Sequence, residues 1–148
     1  MLFRSIVLPE PGYLAAVREI TRKHGVLLII DETHTICAGP GGCTKEWGLE
    51  PDMFVIGKTI GGGIPVGAYG MSAEVGAKVE QLQLSEGIDV SGVGGTLAGN
   101  ALSMAAVRAT LTHALLPDQF VRTKALASAW TKGVKDSDRK STRLNSSH

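Results

Sequence analysis

The sequence predicts an α/β layered fold with a mainly parallel sheet and flanking helices. Three observations predict it. A segment with helical spacing, starting near Tyr13, runs directly into "VLLII" (Val26 to Ile30), a continuous apolar run of the kind found in strands covered on both faces. That run ends in two adjacent carboxylates, Asp31 and Glu32. A second short apolar run, Met53 to Ile56, ends in Gly57-Lys58-Thr59. Helix followed at once by strand is the alternation expected of a parallel sheet.

Each element follows from local chemistry. Leu2 to Leu8 reads as a strand. Tyr13, Leu14, Val17 and Ile20 recur at helical spacing, and Arg22, Lys23 and His24 place cations where the helix dipole is negative. Gly25 stops that helix. The Gly-Pro-Gly-Gly run within Ala38 to Gly42 is a loop. Gly61-Gly62-Gly63 cannot be a regular element, and Val66 to Met71 reads as a third strand. A helix is expected over about Ala73 to Leu84, then the glycine-rich "SGVGGTLAGN" (Ser91 to Asn100), then a helix from about Ala98 to His113. Pro117 suits the first turn of a last helix, Pro117 to Lys132. The remaining "DRKSTRLNSSH" (Asp138 to His148) is polar and aperiodic, and resembles a translated sequencing-adapter oligonucleotide. It reads as a non-native or disordered tail.

Composition narrows the function classes. The chain has 148 residues, 43% hydrophobic and 20% charged, as expected of one globular domain. A formal net charge of +1 gives no electrostatic case for nucleic acid or an anionic membrane. No apolar run approaches the roughly 20 residues of a membrane span. "MLFRSIVLPEPG" is too short in its apolar part for a secretory signal. Cys37 and Cys43, the two cysteines, make neither a disulfide scaffold nor a zinc site. They read as reduced thiols of a cytoplasmic protein.

Two chemistries could use carboxylates at the end of a buried strand. The first is nucleotide hydrolysis, because Asp31-Glu32-Thr33-His34 has the D-E-x-H form of a helicase box. It needs a phosphate cradle, G-x-x-x-x-G-K-[ST]. Gly57-Lys58-Thr59 supplies the second half, but the position of the first glycine is Asp52, and Met53 to Ile56 are strand residues. The cradle would also follow the acidic box instead of preceding it. The second chemistry is the binding of a charged heterocyclic aldehyde. Asp31 and Lys58 stand at the carboxyl ends of successive strands, the edge where ligands of open α/β sheets sit. A lysine in a dry, glycine-lined site loses its proton more easily and can form a Schiff base. Pyridoxal phosphate is such an aldehyde, and a carboxylate facing its ring nitrogen keeps that nitrogen protonated. At about 3 Å and an effective dielectric of roughly 20 the attraction is on the order of 5 kcal/mol before desolvation. That is about four pKa units, enough to decide the protonation state.

Three ordered blocks give this reading a family. "GYLAAVREITRKHGVLLIIDE", "PDMFVIGKTIGGGIPVGAYG" and "GGTLAGNALSMAAVRATL" resemble successive blocks of class III aminotransferases. "GKTIGGGIPVGAYG" and "GTLAGN" are most similar to the glutamate semialdehyde aminomutase branch. The match covers about Pro9 to Leu115.

The resemblance implies the large domain of the aspartate aminotransferase fold, fold type I of the pyridoxal phosphate enzymes. Residues 1–115 would be the second half of that domain, and 116–137 a helix bridging to a small domain that is absent. It implies transfer of an amino group between an amino acid or amine and a keto acid or aldehyde. The aminomutase alternative moves the group within one molecule. Lys58 would hold the cofactor and shuttle the substrate proton, Asp31 would face the pyridinium, and Thr33 would pack on the ring. Glu32 would be structural. His34 would donate to the phenolic oxygen, where the family often has an amide or thioether. Thr96 resembles the threonine that reaches the cofactor phosphate from the neighbouring subunit of a homodimer. The family's phosphate-binding glycine-serine turn and ring-stacking aromatic residue are missing. The chain alone is therefore expected to be inactive and poorly folded, with sheet edges and apolar faces uncovered.

Overall fold

The computed structural model describes residues 9–85 and 94–145. The expected strand Leu2 to Leu8 and the start of the glycine-rich stretch, residues 91–93, lie outside them. Helix α1 is Tyr13–Lys23, entered through Gly12 at φ 85° and left through His24 and Gly25, the latter at φ 64°. The helix is tied to the sheet by two arginines, with Arg22 Nη2 paired to Glu50 Oε2 at 2.6 Å and Arg18 reaching further. Arg18 Nη1 donates to Asp52 Oδ2 at 2.7 Å and to the Glu50 carbonyl at 3.0 Å. Asp52 Oδ2 also accepts from the Leu28 N–H at 2.7 Å. One carboxylate thus joins the helix to the entrances of both neighbouring strands.

Strand β1 (Ile29–Asp31) runs parallel to β2 (Met53–Gly57), with Ile29 opposite Met53 and Asp31 opposite Val55. Strand β3 (Gly67–Met71) pairs with β2 antiparallel, from Met53 opposite Met71 to Gly57 opposite Gly67. The sheet order is β1-β2-β3. The described sheet is therefore mixed, whereas the sequence reading gave β3 no direction within a mainly parallel sheet. Chain length decides it. Residues 58–66 are too few for a parallel crossover, which takes a dozen or more. Gly62 and Gly63, at φ 57° and 102°, turn the chain back instead.

The short link begins with the 3₁₀ turn Lys58–Gly61, whose Ile60 is 2% exposed. Helix α4 (Ala101–His113) packs over this turn. Its Ser103 hydroxyl donates to the Pro65 carbonyl at 3.3 Å. The helix starts at Ala101, not Ala98, because the Asn100 side chain caps it by accepting from the Ser103 N–H at 2.9 Å. Helix α3 (Ala73–Ser85) follows β3, with the Val75 N–H donating to the Ser72 hydroxyl. After α4, helix α5 begins at Pro117 and buries Phe120. It runs to Asn145, past the expected stop at Lys132. No proline interrupts it, and a single Gly133 costs only about 1 kcal/mol.

The core is small. Ile60, Val75 and Phe120 are its buried apolar residues among those described. Val26, Leu27 and Ile29 were expected to be covered on both faces, yet each is about half exposed. Among the described residues β1 stands at the edge of the sheet, and α1 buries no residue completely. Leu97, Leu102, Val121 and Trp130 are also exposed. Among the described residues no helix is long and apolar enough to cross a membrane.

Candidate active site

Two parallel strands deliver two opposite charges to one edge. Asp31 is the last residue of β1 and pairs with Val55. Strand β2 continues to Gly57, and Lys58 opens the 3₁₀ turn. Lys58 has φ 48°, the one non-glycine residue in the left-handed region among those described. Such a conformation costs on the order of 1–3 kcal/mol for a residue with a Cβ and persists where its surroundings impose it. Here the imposing parts are buried Gly57 before it, buried Ile60 and Gly61 after it, and α4 above. Gly57 lies under Thr33. A Cβ at Gly57 would be 3.6 Å from Thr33 Cγ2. Asp31, Thr33 and Lys58 therefore belong to one corner.

The acid of this corner is held ready as an anion. The Thr33 side chain and then the Thr33 N–H, which donates to Asp31 Oδ1 at 2.8 Å, hold the Asp31 carboxyl below its usual range. Lys58 and His34 add smaller attractions in the same direction. His34 is exposed and precedes the 3₁₀ turn Thr35–Ala38, and its carbonyl accepts from Cys37 Sγ. Thr96 is different. It stands in the exposed turn before α4 and shares no hydrogen bond with Asp31 or Lys58 among the described residues. Asp31, Thr33, His34 and Lys58 are thus brought to one edge within a single chain, and Thr96 is not joined to them.

The neighbour of Asp31 does something else. Successive side chains of an extended chain point to opposite faces, so Glu32 turns inward and is 0% exposed. Its Oε1 accepts from the Thr44 hydroxyl at 2.6 Å and from the Thr44 N–H. Its Oε2 accepts from the Cys43 N–H at 3.2 Å and from the Thr35 hydroxyl. Burial pushes the Glu32 carboxyl up, and the hydrogen bonds of Thr35, Thr44 and Cys43 outweigh it, leaving the group below its usual range. Helix α2 (Gly42–Glu46) supplies the Cys43 and Thr44 donors. Gly42 is obligatory there, because a Cβ would lie 2.6 Å from Glu32 Oε2 and φ is +62°. Sequence reasoning gave Glu32 a structural role but missed its partners. The signal was present in "THTICAGPGGCT", where Thr35 and Thr44 bracket a glycine-rich loop.

The corner does not suit a nucleotide. Gly57-Lys58-Thr59 leads into a 3₁₀ turn, not into the helix N-terminus that a phosphate cradle requires. No cluster of three or more metal-binding side chains occurs among the described residues. A fixed anion and a strained lysine with a threonine methyl beside them fit an aromatic aldehyde with a protonated ring nitrogen.

Comparison with known proteins gives the same direction. The family described as aminotransferase class-III matches residues 5–146. Glutamate-1-semialdehyde 2,1-aminomutase 2 of Brevibacillus brevis is 40% identical over 136 residues, covering 91% of this chain and 30% of that protein. A crystal structure of a glutamate-1-semialdehyde aminomutase from Pseudomonas aeruginosa PAO1 in complex with PMP is 44% identical with a TM-score of 0.75. It covers 86% of this chain, which spans 29% of it. An omega-transaminase from Sphaerobacter thermophilus is 35% identical with a TM-score of 0.72, over 88% of this chain and 29% of that one. The chain thus spans about 30% of the length of the curated relatives it matches.

Proposed function

This chain belongs to the class III aminotransferase family, and from that premise we propose that it is the cofactor-anchoring segment of a longer pyridoxal phosphate enzyme. Its fold is part of fold type I of those enzymes. The reaction of the whole enzyme would move an amino group between an amino acid or amine and a keto acid or aldehyde. The observation that carries this is the delivery of Asp31 and a left-handed Lys58 by adjacent parallel strands to one edge.

The cofactor, when bound, supplies an electron sink for the carbanion left by proton removal. The residues of this chain have separate tasks. Asp31, whose carboxyl is held below its usual range, would face the ring nitrogen and keep its proton in place. Lys58 would hold the cofactor through its aldehyde group and would hold and move the proton at the substrate carbon. Thr33 would pack its methyl against the ring, and His34 would donate toward the phenolic oxygen. Thr96 would serve the phosphate of a second copy in a homodimer, which accounts for its standing apart from Lys58. Residues 1–115 would form the second half of the large domain and 116–137 the bridge out of it, with 138–148 a non-native tail. Two unpaired thiols suit a cytoplasmic protein.

The names of the relatives favour one variant. Aminomutases dominate those at about 40% identity, so an intramolecular transfer on a semialdehyde is the second reading. The test is spectroscopic. The full-length polypeptide carrying this segment should bind pyridoxal phosphate with a visible absorbance band that Lys58→Ala abolishes. A wild-type protein without such a band would end this reading. The 148-residue chain by itself should show no transfer of amino groups, since its apolar faces are open to water.

A further inference from the structure

We propose that Glu32 is a positioning residue for the cofactor corner, setting Thr33 and through it Asp31, a role that rests on the function proposed above. Glu32 is fixed from every side. Its N–H donates to the Val55 carbonyl at 2.8 Å, carrying the β1–β2 ladder one residue past Asp31. Its own carbonyl accepts from the Ile36 N–H at 2.9 Å. Its carboxylate takes the donors of Thr35, Cys43 and Thr44 described above. Thr33 is therefore held between a pinned residue and the pinned turn Thr35–Ala38. The Thr33 N–H is what orients Asp31 Oδ1, and the Thr33 methyl is what lies over Gly57, next to Lys58. A buried carboxylate that never touches the ligand thus determines where the ligand's acid points.

The chemistry requires a carboxylate. All four partners are donors, and two are backbone N–H groups that cannot reverse. In Glu32→Gln the amide oxygen can serve the Thr44 pair, while the amide nitrogen faces the Cys43 N–H. The Thr35 hydroxyl can turn to accept, and the Cys43 N–H cannot. Gly42→Ala attacks the same carboxylate from outside without changing its charge, since the new methyl would sit 2.6 Å from Oε2.

The experiment is a titration of the full-length polypeptide with pyridoxal phosphate, followed by the visible band and its pH midpoint. Glu32→Gln and Gly42→Ala should each weaken cofactor binding by about tenfold, the equivalent of one hydrogen bond to a charged group. Both should shift the pH midpoint, while Lys58 still forms the band. Arg18→Met serves as the control, because it removes a part-buried ion pair with Asp52 at the opposite end of the strands. It should leave affinity and midpoint unchanged. If both cage variants bind within twofold of wild type with an unmoved midpoint, Glu32 is only a structural anchor and this inference is wrong. If wild type itself shows no band, the proposed function fails first and takes this role with it.

Discussion

Asp31 and Glu32 are chain neighbours, and the regions they lead into differ in kind. The Glu32 cage is complete within this chain: it is fully buried, with two donors on each carboxylate oxygen and a glycine shaped to fit it. The edge at Asp31 and Lys58 is open: both residues are exposed, and Thr33, through its side chain and its N–H, fixes the acid. The difference teaches how a catalytic corner can be divided. A rigid interior anchor is made locally, from residues 32–44, and the reacting groups are left free at the surface for a ligand to bridge. A segment spanning about 30% of its relatives thus contains the anchor of this corner and leaves the site itself open.

The largest expected effect breaks the open side. In the full-length polypeptide, Asp31→Asn keeps the shape but removes the charge, and with it the attraction toward a protonated ring nitrogen. Turnover should fall on the order of 10²-fold or more, measured by steady-state kinetics with saturating cofactor, and Asp31→Glu should recover part of it. An unchanged rate in Asp31→Asn would make the two regions equivalent spectators.

Acid separates the regions next. The Glu32, Asp31 and Asp52 carboxyls all lie below their usual values in the folded protein. Such groups stabilise the fold above their unfolded values, about 4.5 for Glu32, and that stability is lost as pH falls through the folded ones. Stability followed by thermal melts should therefore drop below about pH 4.5, and Glu32→Gln should flatten that drop more than Asp31→Asn does. Arg18→Met comes third. It unpairs Asp52, leaves the Leu28 N–H bond intact, and should cost about 1–2 kcal/mol in denaturant titrations. Glu46→Gln is last. The Lys124–Glu46 pair at 3.1 Å is about half exposed, so the loss should be at most about 0.5 kcal/mol.

Much of this was readable from residues alone. The spacing of Tyr13, Leu14, Val17 and Ile20 gave α1, and the apolar runs placed Asp31 and Lys58 at strand ends, because those signals are local and periodic. The antiparallel direction of β3 was not read, although it follows from the length of the link that the triglycine closes. The end of α5 was missed because no strong breaker marks it. The Glu32 cage was missed for a different reason. Its donors lie up to twelve residues away, and two of the four are backbone N–H groups, which leave no trace in residue type; Thr35 and Thr44 were the visible part of the signal. Burial of Val26, Leu27 and Ile29 was over-read, since apolar composition shows what a strand wants to cover and not what covers it.

A crystal structure of the full-length polypeptide with pyridoxal phosphate tests the central claim most directly. Lys58 Nζ should be bonded to the aldehyde carbon, with an Asp31 carboxylate oxygen within roughly 3 Å of the ring nitrogen. A ring nitrogen facing any other residue, or a cofactor seated away from this strand edge, would contradict it.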